Sequence, residues 1–433
     1  MRSNDGVADN DAPTLVRGGL VVAWEGARHV LLEGGLVAYG GERIVHVGRQ
    51  WRGRAGRVID ATGKLVVPGL IACHTEIPSG NEAGTGQPPG ADAAARIRAS
   101  LWLLLRHGVT TVVAAPGLSA GEAALAAEAA EVGGLRFYGG PTLGRGLAGS
   151  AGIDLLADYF RRHHGSAGGR VLGHILLDPD FTERGDWSAI RGLADQWGVG
   201  LSIRLGDHLY DFHRTLRGTG STPVALLAAE GLLTSRSILG PARLMAGHRH
   251  SAYPHGGDLE AIAAAGATVA HAPLELARAG QVLESLDRYL EQGVRLAFGA
   301  SRPSFDLLSD LRCAALTAKI VDRNHEAGRA AVLFDAVTVA AADALGRKDL
   351  GRLAPRARAD LVIIDLERLR VGPVYDPIRA LIHCAHGAAV EHVVVAGRMV
   401  VANGKPTGLA APSPSDLADT NARAPLSPWM EGA

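Results

Sequence analysis

The pattern of apolar and polar positions changes period twice along the chain. Short apolar runs at 15–22, 35–40 and 43–48 are punctuated by glycine, which predicts a β-meander near the N-terminus. The same texture returns at 359–365 and 390–401. Between them, apolar strands such as 65–72 and 109–115 alternate with helical stretches at 91–106, 120–131, 187–197, 222–230 and 259–265. Alternation over roughly 290 residues predicts a parallel sheet, closed at this size into a distorted (β/α)8 TIM barrel. The two β-rich ends share a composition and are expected to pair as one small β-sandwich. The predicted division is 1–60 with 351–407 as a composite sandwich, 61–350 as the barrel, and 408–433 as a poorly ordered tail rich in Pro, Ser and Ala.

Composition narrows the function. With 433 residues and 47% hydrophobic content the chain can bury a large core. Its 44 basic and 44 acidic residues balance, which speaks against a nucleic-acid binder or a polybasic membrane-surface protein. Cys73, Cys313 and Cys384 form no Cys-x-x-Cys pair and no disulfide framework. The first residues are polar, and no apolar run approaches the length of a membrane span, so a cytoplasmic location is expected.

Several motifs then follow one another in a specific order. These are Pro68-Gly69-Leu70-Ile71-Ala72-Cys73-His74, the segments 346–355 and 359–365, Asp376-Pro377-Ile378, and Val394-Val395-Ala396-Gly397-Arg398. From about 14 to 405 the chain resembles the metal-dependent amidohydrolase superfamily, in its chlorohydrolase and aminohydrolase branch of triazine hydrolases and cytosine or guanine deaminases. The resemblance implies a metal at the barrel mouth, held by two His of the first strand, one each of the fifth and sixth, and an Asp of the eighth. Such a metal acidifies a bound water to hydroxide near neutral pH.

Carried over residue by residue, the ligand set is degenerate. His74 is present, but Glu76 stands where the second His is expected. The fifth-strand segment reads Arg204-Leu205-Gly206-Asp207, and the eighth-strand segment reads Gly299-Ala300-Ser301. Anchoring on Leu239-Gly240-Pro241 places Gly247 or His248 at the sixth-strand position, and His248 is favoured because one residue of loop slip is cheap. His271-Ala272-Pro273 resembles a His-Cys-Pro segment, with Glu275 two residues after the proline. A guanidinium is always charged and cannot coordinate a cation, so Arg204 opposes a normal metal centre. It suits a structural ion pair with Glu76 or Asp207, or charge stabilisation during a reaction.

Strand alternation predicts that His74 and Glu76 share the inner face while Cys73 and Thr75 point to the helix layer. His74, Glu76, Arg204, His248, His271 and Ser301 are expected to converge at the mouth. His74, Glu76, Arg204 and His248 are the catalytic candidates; Asp207, His271, Glu275 and Ser301 are the substrate-binding ones. His250 and His255 suit a solvated loop, and Asp178, Asp180, Asp306 and Asp310 suit caps or solvated loop positions. No cofactor is expected; zinc, if held, would use His74, Glu76 and His248. Three readings stay open: an atypical enzyme acting on a C–N bond of a small nitrogen heterocycle, amide or amidine by hydrolysis, dehydration or cyclisation; a catalytically silent barrel that binds a partner; or a zinc hydrolase with a relocated site. The expected partner is a small molecule, and the resemblance implies a homodimer.

Overall fold

A computed structural model describes residues 12–77, 91–144, 149–182, 185–369, 374–413 and 416. The polar N-terminus and most of the tail from 408 lie outside the described residues. The architecture is a TIM barrel with a β-sandwich built from both chain ends. Its barrel strands are Leu70–Thr75, Val109–Ala114, Arg136–Gly139 continued by Thr142–Gly144, Val171–Gly173 continued by Ile175–Asp178, Leu201–Leu205, Ser237–Pro241, Thr268–His271 and Arg295–Phe298. Neighbouring barrel strands pair in parallel. They form a four-stranded and a six-stranded arc, because the third and fourth strands each break midway. This is the physical sense in which the barrel is distorted.

The helices follow the predicted periodicity closely. Ala91–Arg106 and Trp187–Trp197 form as expected, and Ala120–Gly133 opens on a capping box between Ser119 and Glu122. Cys73 corrects a prediction. It packs with Ile71 of its own strand and with Val113, Tyr138, Ile238, Ala270 and Ala297 of other barrel strands, and therefore lies inside the barrel. Burial pushes its thiol up to about 12, leaving an inert core group.

The sandwich strands Thr14–Glu25, Arg28–Gly40, Arg43–Gly48 and Arg57–Asp60 join Lys64–Pro68, Leu361–Asp365, Val390–Val395, Arg398–Ala402 and Lys405–Pro406 in one nine-stranded sheet. Val16, Val21, Val37 and Ile44 from one end pack with Leu361, Ile363 and Val394 from the other. A buried ion pair ties this unit to the barrel: Arg136 of the third strand donates to Asp360 from Nε at 2.6 Å and Nη2 at 3.1 Å. Asp360 also accepts from the Ala396 N–H, so its carboxylate is satisfied on both sides. Among the described residues no helix is long and apolar enough to cross a membrane.

Candidate functional site at the barrel mouth

Segments following four barrel strands meet at one guanidinium. Arg204 donates from Nη2 to Glu76 at 3.2 Å and to the Pro116 carbonyl at 2.7 Å, and from Nη1 to Asp207 at 3.4 Å. Its Nε lies 3.7 Å from Asp178, at the end of the fourth strand. Arg302, just past the eighth strand, reaches the second Glu76 oxygen at 3.5 Å. The side chains of Arg204, Glu76, Asp178 and Asp207 are between 25% and 32% exposed, fixed in place yet open to a ligand. Burial works against the Arg204 charge, but Glu76, Asp178 and Asp207 outweigh it and hold its pKa above the ordinary value. All of this lies at the C-terminal ends of the strands, where barrel enzymes place their chemistry.

The first strand reaches the cluster through a bulge. Ala72 pairs with Val112 and Thr75 with Ala114, so the strand carries one extra residue, and His74 takes a φ of 57°. A bulky side chain in that region is strained, and such strain persists only where the surroundings impose it. Here the ring lies over Gly240 of the sixth strand, where a Cβ would come within 2.4 Å of it. His74 is buried and its Nδ1 has no hydrogen-bond partner. Burial first, then the Arg204 charge and His174, push its imidazole down to about 3. It is neutral at physiological pH and cannot act there as an acid.

Glu275 joins the mouth from the first turn of the helix Pro273–Arg278. Its carboxyl is pushed up to about 7, first by desolvation and then by the Glu76 charge, with Arg302 opposing. The residue as a whole is nonetheless exposed to solvent, which screens that shift. Glu275 and Glu76, the latter held by two arginines, can serve as proton donor and proton acceptor at one site.

Three predicted members do not converge. The sixth strand ends at Pro241, which places His248 seven residues beyond the strand end. Ala270 takes the inward position of the seventh strand, so His271 faces the helix layer, against Tyr289 and Phe298. His271 Nδ1 donates to the Pro241 carbonyl at 2.9 Å, and His248 Nδ1 lies 3.3 Å from the Arg243 carbonyl with its ring on the same Tyr289. Both keep a buried, unpartnered Nε2, and burial lowers both imidazoles, that of His271 to about 4. Ser301 is turned to the helix Leu307–Asp322: its N–H and Oγ donate to Asp310 at 2.8 and 2.6 Å. Asp310 is therefore a buried anchor rather than a cap, its carboxyl raised to about 6 by burial. Asp306 does cap that helix, while His250 and His255 are exposed as expected.

Sequence reasoning missed Asp178 and Arg302 as members of the cluster. Position at or just past a strand end was the available signal. Among the described residues, no group of three or more His, Cys, Asp or Glu is placed to hold a metal ion.

Comparison with known proteins gives the relationship. The Amidohydrolase family matches residues 65–400. A 5-methylthioadenosine/S-adenosylhomocysteine deaminase of Pelotomaculum thermopropionicum is 26% identical, over 90% of this chain and 93% of its own. The crystal structure of atrazine chlorohydrolase from Arthrobacter aurescens TC1 complexed with zinc superposes with a TM-score of 0.74 at 26% identity, covering 91% of this chain and 96% of that one. An adenosine deaminase from Xanthomonas campestris with bound zinc shares the fold, with a TM-score of 0.77 at 22% identity over 92% of this chain and 95% of that one. The chain belongs to the amidohydrolase family, among hydrolases acting on carbon–nitrogen bonds other than peptide bonds.

Proposed function

We propose that this protein cleaves a C–N bond of a small nitrogen heterocycle bearing an amino or comparable leaving group, without the family's metal centre. The observation that carries the reading is the Arg204 guanidinium, fixed at the mouth by Glu76, Asp178 and Asp207. The donor set does not fit a divalent ion. Arg204 brings a positive charge to the fifth-strand position, the sixth strand ends in Pro241, and the Ser301 hydroxyl is committed to Asp310. A fixed cation repels a metal ion more strongly than it repels a single charge. The relocated zinc site on His74, Glu76 and His248 gains no support, since His248 packs on Tyr289 away from the strand end.

In the proposed reaction, Glu76 takes a proton from water as the water oxygen bonds to the ring carbon. Arg204 stabilises the negative charge that develops on the heterocycle. The protonated Glu275 gives its proton to the departing nitrogen as the C–N bond breaks. His74 stays neutral and can orient water or substrate. The deaminase and chlorohydrolase relatives support this substrate class.

The test is elemental analysis of the purified protein together with an ammonia-release screen on amino-substituted purines and triazines. The expected result is turnover that survives a chelator and falls about a hundredfold or more in Arg204→Ala. Near-stoichiometric zinc with chelator-sensitive turnover overturns the metal-free mechanism. Binding of a heterocycle with no turnover by any of these compounds identifies a silent barrel instead.

A further inference from the structure

A second cavity, which none of Glu76, Arg204 or Asp207 lines, opens where the barrel wall is breached. Val171–Gly173 pairs with the third strand, and pairing with the fifth begins at Ile175. The handover falls at His174, whose N–H donates to Gly139 at 3.0 Å, while Ile175 N–H donates to Gly200 at 3.0 Å. The gap between Leu172 and the 198–200 turn is a cavity of about 210 Å³, lined by Tyr138, His164, His174, Trp197, Arg236 and Arg347 among others. That is room for one ring and a small substituent, less than the ~300–1,000 Å³ of sites for larger ligands.

Its polar groups form an unusually donor-rich set. His164 Nδ1 accepts from the Gly173 N–H at 3.2 Å, so in the neutral ring Nε2 bears the proton and donates. Trp197 Nε1, a donor only, is buried without a partner. Arg236 stands at the rim, 39% exposed, its Asp195 partner 77% exposed and easily released. Arg347 is held by Asp349 and by the Tyr138 hydroxyl at 2.9 Å. The exception lies at the inner end: His174 is 2% exposed, and its Nε2 has no partner. A buried polar atom left unpaired is costly, and a ligand group can remove that cost. The walls between are aromatic, with His164 and Trp197 edge to face at 5.6 Å.

We propose that this cavity is a binding site for a small aromatic carboxylate carrying a hydroxyl or ring N–H opposite the acid. The carboxylate meets Arg236 and the donors of Trp197 and His164, the ring packs between the aromatic walls, and the distal donor hydrogen-bonds His174 Nε2. The proposal does not rest on the reaction assigned to the mouth.

Titration calorimetry of the full chain with 4-hydroxybenzoate, benzoate and phenol tests it. The expected result is one saturable site for 4-hydroxybenzoate, with phenol at least tenfold weaker. Arg236→Ala should weaken the two acids about tenfold and leave phenol unchanged. His174→Phe should weaken 4-hydroxybenzoate to the level of benzoate, and Arg204→Ala should bind all three as the native protein does. If His174→Phe fails to fold, Arg236→Ala still decides, because its side chain is partly exposed. No saturable binding of either acid at millimolar concentration overturns the proposal. So does binding that Arg204→Ala abolishes and Arg236→Ala retains, which places the acid in the mouth.

Discussion

Glu76 and Glu275 act on one another electrostatically, and among the described residues Glu76 alone of the two is ion-paired, to Arg204 and Arg302. Glu275, desolvated and facing the charge of Glu76, sits near 7. As the proton donor it acts while protonated, so its contribution is present below about 7 and is lost as the pH rises through that value. The pH–rate profile should therefore descend on its alkaline side near 7. Glu275→Gln should lower the rate about a hundredfold and remove that descent; a descent that persists in the variant would assign the proton to another group. At this scale the sequence was partly legible. Arg204 stood out because a guanidinium occupied a position where the resemblance expects a metal ligand. His271 was misplaced because Val269 and Ala270 are both apolar, so alternation gave no sign of which face the strand turns inward. Arg302 and Asp178 gave no sign beyond their place at or just past a strand end, since only the closed barrel brings them to Glu76 and Arg204.

The run 65–72 reads as one strand and folds as parts of two. Lys64–Pro68 pairs within the sandwich and Leu70–Thr75 within the barrel. The change falls at Gly69, where a Cβ would lie 2.2 Å from the Thr110 hydroxyl. Apolar patterning located both pieces, but neither the change of sheet nor the bulge at His74 has a signature in hydrophobicity, because both depend on neighbouring strands. Closure of the barrel adds a second tight approach. A Cβ on Gly299 would sit 2.7 Å from the His74 carbonyl oxygen and 2.9 Å from that of Cys73, and backbone atoms cannot swing aside. Gly299→Ala should cost about 1–3 kcal/mol and shift the His74–Glu76 segment, lowering both the melting temperature and activity. Gly192→Ala is the control. It lies exposed in the helix Trp187–Trp197 with nothing near its added Cβ, and it should stabilise by about 0.5–1 kcal/mol. Equal melting temperatures for the two variants would show that the closure tolerates a methyl group.

Across the whole molecule, burial has produced a set of neutral histidines that joins the barrel to the sandwich. His74, His174 and His271 lie in barrel strands or at the fourth-strand break, and His29 of the sandwich packs on Trp24 and on Phe334 of a barrel helix. Burial lowers His74 to about 3 and the other three to about 4. An unfolded imidazole titrates near ~6.5. Between about 6.5 and 4 the unfolded chain therefore takes up protons that the folded chain refuses, and stability falls as the pH is lowered through that window. Asp310 and Asp335 act in the opposite sense. Burial raises both to about 6, so each favours the folded state as the pH falls from 6 toward its ordinary carboxylate value. Four lowered imidazoles outnumber these two carboxyls, and none is shifted less than they are. Asp258, raised by burial, and Glu275, raised but solvent-exposed, also oppose the trend, while His107 and His248, lowered by burial, add to it. The melting temperature should thus be highest above pH 7 and decline from 6.5 toward 4, as read by calorimetry at constant ionic strength. His29→Phe removes one of the four and should make that decline shallower, by up to one proton in the slope of stability against pH. A melting temperature that rises on acidification from 7 to 5 would overturn this balance, with the raised carboxyls outweighing the lowered imidazoles.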